Sequence, residues 1–127
     1  MPPAGLADLL CRLGRVRSRA DAHRAEVIAE AERSGAARAL GFRSTTEWLA
    51  ALTGESVPLC RSQVAVASAL EGMPETKKAF AAGEVSASKV KVLAQAQALC
   101  PGQFARDEAS LVARVAAASA QQVPQLL

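Results

Sequence analysis

Hydrophobic side chains recur at helical spacing along the first part of this 127-residue chain. Within residues 6–33 the steps between them alternate between three and four, which places them in one stripe along a helix. The stripe consists of Leu6, Leu9, Leu13, Val16, Ala20, His23 and Val27. It resembles a coiled-coil seam that thins in its middle, and Gly14 leaves open whether the segment is one helix or two. We expect the stripe to pack on the rest of the domain or on a second copy of the chain. The candidate dimer seam is its N-terminal part, Leu6, Leu9, Leu13 and Val16.

Start and stop signals divide the remainder of the chain into shorter helices. Serine or proline at a start, and glycine or proline beyond an end, mark the expected boundaries. Residues 34–42 indicate a loop or a short irregular helix. Ser44 and Glu47 fit a capping box at the start of the next helix. The predicted helices run from Ser44 to Gly54, from Ser56 to about Leu70, from Pro74 to Ala82, from Ser86 to before Pro101, and from about Phe104 to Ala118.

Composition agrees with this pattern, because alanine occurs 29 times and is the residue that favours helices most. Aromatic residues are few and β-branched residues seldom alternate with polar ones. We therefore predict an all-α, compact orthogonal bundle of about six helices with a long N-terminal helical segment. The chain is expected to form a single domain over residues 1–127, with residues 1–35 as the long helix or helix pair. Its end on Leu126 and Leu127 suggests a partial or truncated member of something longer.

Charge and cysteine usage restrict the functional classes. The net charge of +3 permits nucleic-acid binding, but 12 acidic residues are mixed among the 15 basic ones. The cysteines, Cys11, Cys60 and Cys100, are odd in number and widely spaced, which predicts reduced thiols in a cytoplasmic protein. No apolar run has the length needed to span a bilayer, and no export signal opens the chain.

Catalytic chemistry finds little support in the sequence. His23 is the single histidine and lies in the long first segment, twelve residues from Cys11 on the same helix. No phosphate-binding glycine loop and no cluster of metal-ligand residues is present. We predict no catalytic residue, no metal, no cofactor and no small-molecule ligand, and therefore a chain that is not an enzyme by itself.

Three stretches resemble a known family when taken in order: GFRSTTEWLAALTG, then VAVASALEGMPETKKAFAAGEVSASKVKVLAQA, then DEASLVARVAAASAQQVPQL. Together they resemble the actinobacterial domain of unknown function 222, found in the 13E12 repeat proteins. The resemblance covers roughly residues 41–123, and the first 40 residues match only in being helical. It implies an N-terminal helical module of a protein that often carries an HNH endonuclease domain, and hence a DNA-processing or mobile-element context. The histidines and asparagine of an HNH site are absent, since the chain has one histidine and no asparagine.

The stretch AFAAGEVSASKVKVLAQA, residues 79–96, predicts a helix–turn–helix corner. Gly83 ends the first helix, Ser86 caps the second, and Val85 with Val90 can form a hydrophobic staple. On a helical wheel Val90, Leu93, Ala94 and Gln97 face the core, while an opposite face points outward. That outward face consists of Ser88, Lys91, Val92 and Gln95.

Two interpretations of this corner stay open. A recognition helix would present such a face to DNA, with Lys77, Lys78 and Lys89 adding positive charge nearby. A poorer second corner places Arg61 on the helix after Gly54. Alternatively, the corner is ordinary architecture or a protein interface, and the chain is an interaction or dimerisation module that uses the leucine stripe. A remnant without activity of its own is the third interpretation.

Overall fold

The computed structural model describes residues 2–118, and its first element is one uninterrupted helix of 32 residues, α1 (Pro3–Ser34). Proline suits the first turn because its missing amide hydrogen would have no partner there. The helix ends at Gly35, whose φ of 71° is left-handed and whose amide donates to the carbonyl of Ala31. Gly14 does not interrupt α1, so the segment is one helix rather than two.

Six shorter helices follow α1, and residues 2–118 contain no strand. The predicted all-α class is therefore confirmed. One more helix forms than the approximate six expected, because residues 34–42 include a four-residue helix. The last helix begins at Pro101 rather than near Phe104, since proline is accommodated in a first turn. The helices are α2 (Ala36–Ala39), α3 (Thr45–Thr53), α4 (Val57–Leu70), α5 (Pro74–Ala81), α6 (Ala87–Leu99) and α7 (Pro101–Ala117).

Serine side chains begin three of these helices, as the sequence predicted. Each serine Oγ accepts a hydrogen bond from the backbone amide three residues later, which satisfies one of the unpaired amides of a first turn. Of the two hydrogen bonds of the predicted capping box at Ser44, the described residues form the one from the Glu47 amide to the serine oxygen and not the reciprocal one to the Glu47 carboxylate. The pairs are Ser44 with Glu47 at 3.1 Å, Ser56 with Leu59 at 3.3 Å, and Ser86 with Lys89 at 3.4 Å.

The core consists of two hydrophobic clusters. The larger cluster joins α5, α6 and α7 with Ala22 of α1 and Leu70 of α4, and its centre includes Met73, Val90 and Leu93, which are fully buried. The smaller cluster joins α1, α3 and α4 around Ile28 and Cys60. Both residues of the predicted staple, Val85 and Val90, are buried in the larger cluster, which agrees with that prediction.

Two polar residues are buried beside the larger cluster, and they pair with each other. Glu108 of α7 accepts hydrogen bonds at its Oε2 from the backbone amide and the hydroxyl of Thr76. Thr76 lies in the first turn of α5, whose N-cap residue Met73 offers no side-chain acceptor. Glu108 therefore caps α5 from a different helix.

None of the helices within residues 2–118 combines the length and the apolar character needed to cross a bilayer. The leucine pair at the end of the chain, Leu126 and Leu127, lies outside the described residues.

Candidate partner-binding surface

The heptad stripe of α1 remains exposed to solvent. We call its seven residues the seam: Leu6, Leu9, Leu13, Val16, Ala20, His23 and Val27. The side chains of its N-terminal part are between 42% and 58% exposed, and Val27 is 65% exposed. One of the two expectations, that the stripe packs on the rest of the domain, is therefore wrong for the residues described.

From Ser18 onward α1 contacts the domain through another face, whereas its N-terminal half, up to residue 17, contains no buried residue. Four of the five buried residues of α1 are small, and Ile28 is the exception; three of the small ones, Ser18, Ala22 and Ala29, follow each other at steps of four and seven. On a wheel of 100° per residue, this line lies roughly opposite the seam. Small side chains let α1 approach α4 and α5 closely, and the larger leucines are left on the far side.

Arginines lie on both sides of the seam. They are Arg12, Arg17, Arg19 and Arg24, and Leu10, 69% exposed, widens the apolar surface on one side. Arg24 pairs with Glu55 at 2.7 Å, whereas Arg12 pairs with Asp8 at 3.0 Å on the open surface. Arg17 forms no hydrogen bond or ion pair to any residue among those described. The surface of α1 is thus an apolar line with basic margins.

The corner between α5 and α6 packs against α1. Gly83 is buried and adopts a φ of 78°. A Cβ atom at this position would come within 2.9 Å of the carbonyl oxygen of Arg15 and 3.2 Å of Nε of Arg19. The Nε of Arg19 also donates to the carbonyl of Ala82 at 3.3 Å. The glycine is required by both the turn and the close contact with α1, which accounts for it without a ligand.

Lys89, one of the predicted DNA-contact residues, is directed to the end of α7. Its Nζ donates to the carbonyl of Ala118 at 2.8 Å and to that of Ala116 at 3.4 Å. These carbonyls lie at the negative end of the helix dipole, where a cation is stabilising. Lys89 therefore has a structural task in the described part of the chain.

The other predicted DNA-contact residues are spread over several surfaces. Ser88 and Lys91 are exposed and line a groove of about 220 Å³, whose lining also includes the apolar Ile28 and Phe80. Gln95 is exposed but lines a different groove, next to α7. The remaining three are Lys77, which pairs with Glu71 at 3.5 Å, and the exposed Lys78 and Arg61.

Val92 is less exposed than the sequence predicted. The wheel placed it on the outward face of α6, but it is half-buried and packs against the larger core cluster. The reason is the position of α7, which covers that side of α6. The outward face is accordingly narrower than predicted and reduces to Ser88, Lys91 and Gln95, divided between two grooves.

The groove lined by Ser88 and Lys91 contains a polar atom without a partner. Gln63 of α4 donates through Nε2 to Glu55 Oε2 at 3.4 Å, while its buried Oε1 accepts no hydrogen bond from the described residues. The hydrogen bond from Arg24 to Glu55 lowers the pKa of this glutamate below its ordinary value. The polar side of the groove is thus a hydrogen-bonded network of Arg24 on α1, Gln63 on α4 and Glu55 in the loop that precedes α4.

A second ionic network joins α1 to α4 and α5. Arg33 hydrogen-bonds to Glu30 and Glu71, and these bonds raise the pKa of the arginine. The same contact with Arg33 lowers the pKa of Glu71, to which Lys77 adds a further positive charge. The network around Arg33 lies at the surface, where ion pairs contribute little to stability.

Potential nucleophiles and metal ligands are far apart. Cys11 and His23 lie on the same straight helix, about 18 Å apart along its axis, as the sequence predicted. Cys60 is buried in the smaller core cluster, and Cys100 is exposed at the start of α7. Within residues 2–118, no three side chains of His, Cys, Asp or Glu are grouped as a metal site would require.

Comparison with models of known protein families finds a match to the model described as Domain of unknown function (DUF222), over residues 7–126. The chain belongs to this family. The DUF222 match begins far upstream of residue 41, where the resemblance in the sequence began, so most of α1 and its seam are part of the family domain. Neither curated proteins nor solved structures gave a match.

Two features of the surface were missed in the sequence. Leu10 was not singled out, and Arg17 was considered only as a partner for Asp21, although both Leu10 and Arg17 occupy positions directly beside the seam. Reading the first segment by heptad position would have found them, because such flanking positions govern the choice of partner. The pair of Thr76 and Glu108 had no signal in the sequence, since its two residues are joined only by the packing of α5 on α7.

Proposed function

We propose that this DUF222 domain is a non-catalytic protein-interaction module that binds a partner helix along the seam of α1. The observation that carries the proposal is the solvent exposure of Leu6, Leu9, Leu13 and Val16, which follow one line along α1. Exposed apolar surface that follows a regular line is typical of an interaction site. The spacing of three and four residues suits knobs-into-holes packing against one further helix.

Apolar contact with these four side chains alone would give a partner helix little net binding free energy. Covering the exposed half of each of these four side chains would contribute on the order of 1 kcal/mol apiece. Association costs about 4 kcal/mol or more in lost translational and rotational freedom. The short leucine-rich part would therefore bind weakly alone, and it needs either the full seam or charged flanks to hold a partner.

The proposed role fits the context that the sequence resemblance implies. In a longer protein with an HNH nuclease domain, a module of this kind would bring the nuclease to its partner without taking part in the chemistry. The described residues hold no grouping of catalytic or metal-binding side chains that competes with this role.

The experiment measures association through the seam. The chain is mixed with a designed helical peptide that carries leucine at its own seam positions and glutamine beside them, and masses are measured by sedimentation equilibrium. Self-association of the chain, or binding of the peptide, supports the proposal if Leu9→Asp with Leu13→Asp abolishes it. Leu52→Asp is the matched control, because Leu52 is a similarly exposed leucine on α3. A chain that stays monomeric and binds no helical peptide would overturn the proposal.

A second candidate function is DNA contact by the N-terminal half of α6. The observation in its favour is the adjacent exposure of Ser88 and Lys91 on one groove, in a protein of positive net charge. Fluorescence anisotropy with a random duplex tests it, since binding through phosphates must weaken steeply as salt rises. Absence of binding at low salt would reject this candidate, and Lys91→Ala should weaken binding if the candidate is right.

A further inference from the structure

We infer that the partner helix carries acidic residues beside its own apolar seam, and that a second copy of this chain is a disfavoured partner. This inference rests on the proposed function, because it specifies the chemistry of the partner that the seam binds. It follows from the heptad positions of the arginines on α1.

The seam residues occupy the a and d positions of a heptad that starts at Leu6. The e positions of the first three heptads are then Leu10, Arg17 and Arg24, and the g positions beginning at Gly5 continue with Arg12 and Arg19. All four charged residues at these positions are arginines. The first acidic residue at such a position is Glu26, near the C-terminal end of the seam. Residues at e and g contact the flanks of a partner helix and set its identity and orientation.

Pairing of two copies would oppose these arginines to each other. In a parallel pair, a g residue meets the e residue of the following heptad, so Arg12 would face Arg17 and Arg19 would face Arg24 of the second copy. In an antiparallel pair, g positions face g positions and e positions face e positions, and the opposed charged groups are again arginines over most of the overlap. Opposed like charges disfavour a wrong partner, whereas an acidic partner would form ion pairs at the same places.

Contacts within the chain leave part of this charge available. Arg24 is held by Glu55 and the Nε of Arg19 by the carbonyl of Ala82. The pair of Arg12 and Asp8 has side chains 69% and 58% exposed, so it is weak and can exchange for another carboxylate. Arg17 has no hydrogen-bonded or ionic partner in the described chain. Arg12 and Arg17 lie on opposite sides of the seam and are the two groups best placed to bind acidic flanks.

The line of the seam favours a helix over an anionic membrane as the occupant. A strict repeat of seven residues drifts by about 20° per heptad around a straight α-helix, and a partner helix follows this drift by supercoiling. A membrane surface is planar, so it fits an apolar face that stays on one side of a straight helix and does not turn gradually around it. In this chain the repeat is kept over 22 residues from Leu6 to Val27.

The test compares three designed helical peptides of about four heptads that differ only at the flanking positions, which are glutamate, glutamine or lysine. Binding to the whole chain is measured by fluorescence anisotropy at low and at high salt. We expect the glutamate peptide to bind at least about tenfold more tightly than the lysine peptide, with a difference that shrinks as salt rises. Charge reversal by Arg12→Glu and Arg17→Glu should invert the order of the peptides. Arg61→Glu, at an exposed arginine of α4, is the matched control and should keep the order.

The outcomes distinguish failure of the inference from failure of the proposed function. Equal binding of the three peptides, lost in the Leu9→Asp and Leu13→Asp variant, would overturn the inference and leave the proposed function intact. Stable dimers of the chain that exclude the glutamate peptide would likewise overturn the inference and leave the proposed function intact. A further arm measures co-sedimentation of the chain with vesicles of anionic lipid. Binding to these vesicles but to no peptide would overturn both, since the seam would then serve a membrane. No binding in any arm, with a monomeric chain, also overturns both.

Discussion

The carboxylate of Glu108 holds both the backbone amide and the hydroxyl of Thr76, at 2.7 and 2.9 Å, in the interior between α7 and α5. Removal of the acceptor leaves two buried donors unsatisfied, whereas removal of the hydroxyl leaves the amide bonded. We therefore expect Glu108→Ala to lower the free energy of unfolding by about 3 kcal/mol and Thr76→Val by about 1 kcal/mol. Urea unfolding followed by circular dichroism measures both values.

The control for this pair is Glu84→Gln, because Glu84 is an exposed glutamate outside the helices. Its unfolding free energy should remain within about 0.5 kcal/mol of the unchanged chain. Equal effects of Glu108→Ala and Thr76→Val would contradict the assignment of Glu108 as a cap that serves two donors.

Gly83 should tolerate a side chain less well than other glycines of similar conformation. Gly83→Ala imposes a left-handed residue, at a cost of about 1–2 kcal/mol, and also places Cβ against the carbonyl of Arg15. Gly54→Ala is the matched control, because Gly54 has a φ of 73° and open space around it. Thermal unfolding should show a clearly lower midpoint for Gly83→Ala. Similar midpoints would mean that the contact with α1 contributes nothing.

Lys89 and Lys91 are two residues apart on α6 but should differ in their effect on stability. Lys89→Met removes the hydrogen bonds to the carbonyls of Ala116 and Ala118, and we expect a loss of about 1 kcal/mol. Lys91→Met leaves an exposed position and should change stability by less than about 0.5 kcal/mol. Chemical denaturation of both variants provides the comparison, and a larger loss for Lys91→Met would contradict it.

The contrast between these two lysines shows where sequence reasoning succeeds and where it ends. The caps at Ser56 and Ser86 and the stop at Gly54 depend on neighbouring residues, and their local signals identified them correctly. The direction of Lys89 depends on where α7 ends, and so does the partial burial of Val92. A heptad stripe likewise predicts that Leu9 and Leu13 share a face, but what covers that face depends on tertiary packing, which the spacing does not encode.

Acidification should lower the stability of the folded chain, and two surface glutamates, Glu55 and Glu71, should account for part of the loss. Hydrogen bonds from Arg24 and Arg33 lower the folded-state pKa of Glu55 and of Glu71, respectively. A carboxyl with a lowered folded pKa contributes stability above its unfolded pKa, and this contribution is lost as pH falls through the folded value. The double variant Glu55→Gln, Glu71→Gln should therefore show a smaller loss of stability below about pH 5 than the unchanged chain. Urea midpoints across pH measure this, and parallel pH profiles of the two proteins would contradict it.

The seam leucines should matter for association and hardly at all for folding. Leu9 and Leu13 are 42% and 54% exposed, so Leu9→Gln with Leu13→Gln removes no core packing and should change the unfolding free energy by less than about 1 kcal/mol. Leu93→Ala is the contrasting variant, since Leu93 is fully buried and its truncation should cost about 2–5 kcal/mol. Unfolding is measured at a concentration low enough to keep the chain monomeric, because association would add stability of its own. A loss comparable to that of Leu93→Ala at such dilution would show that the leucines already contact the domain, and the proposed binding surface would then have to be abandoned.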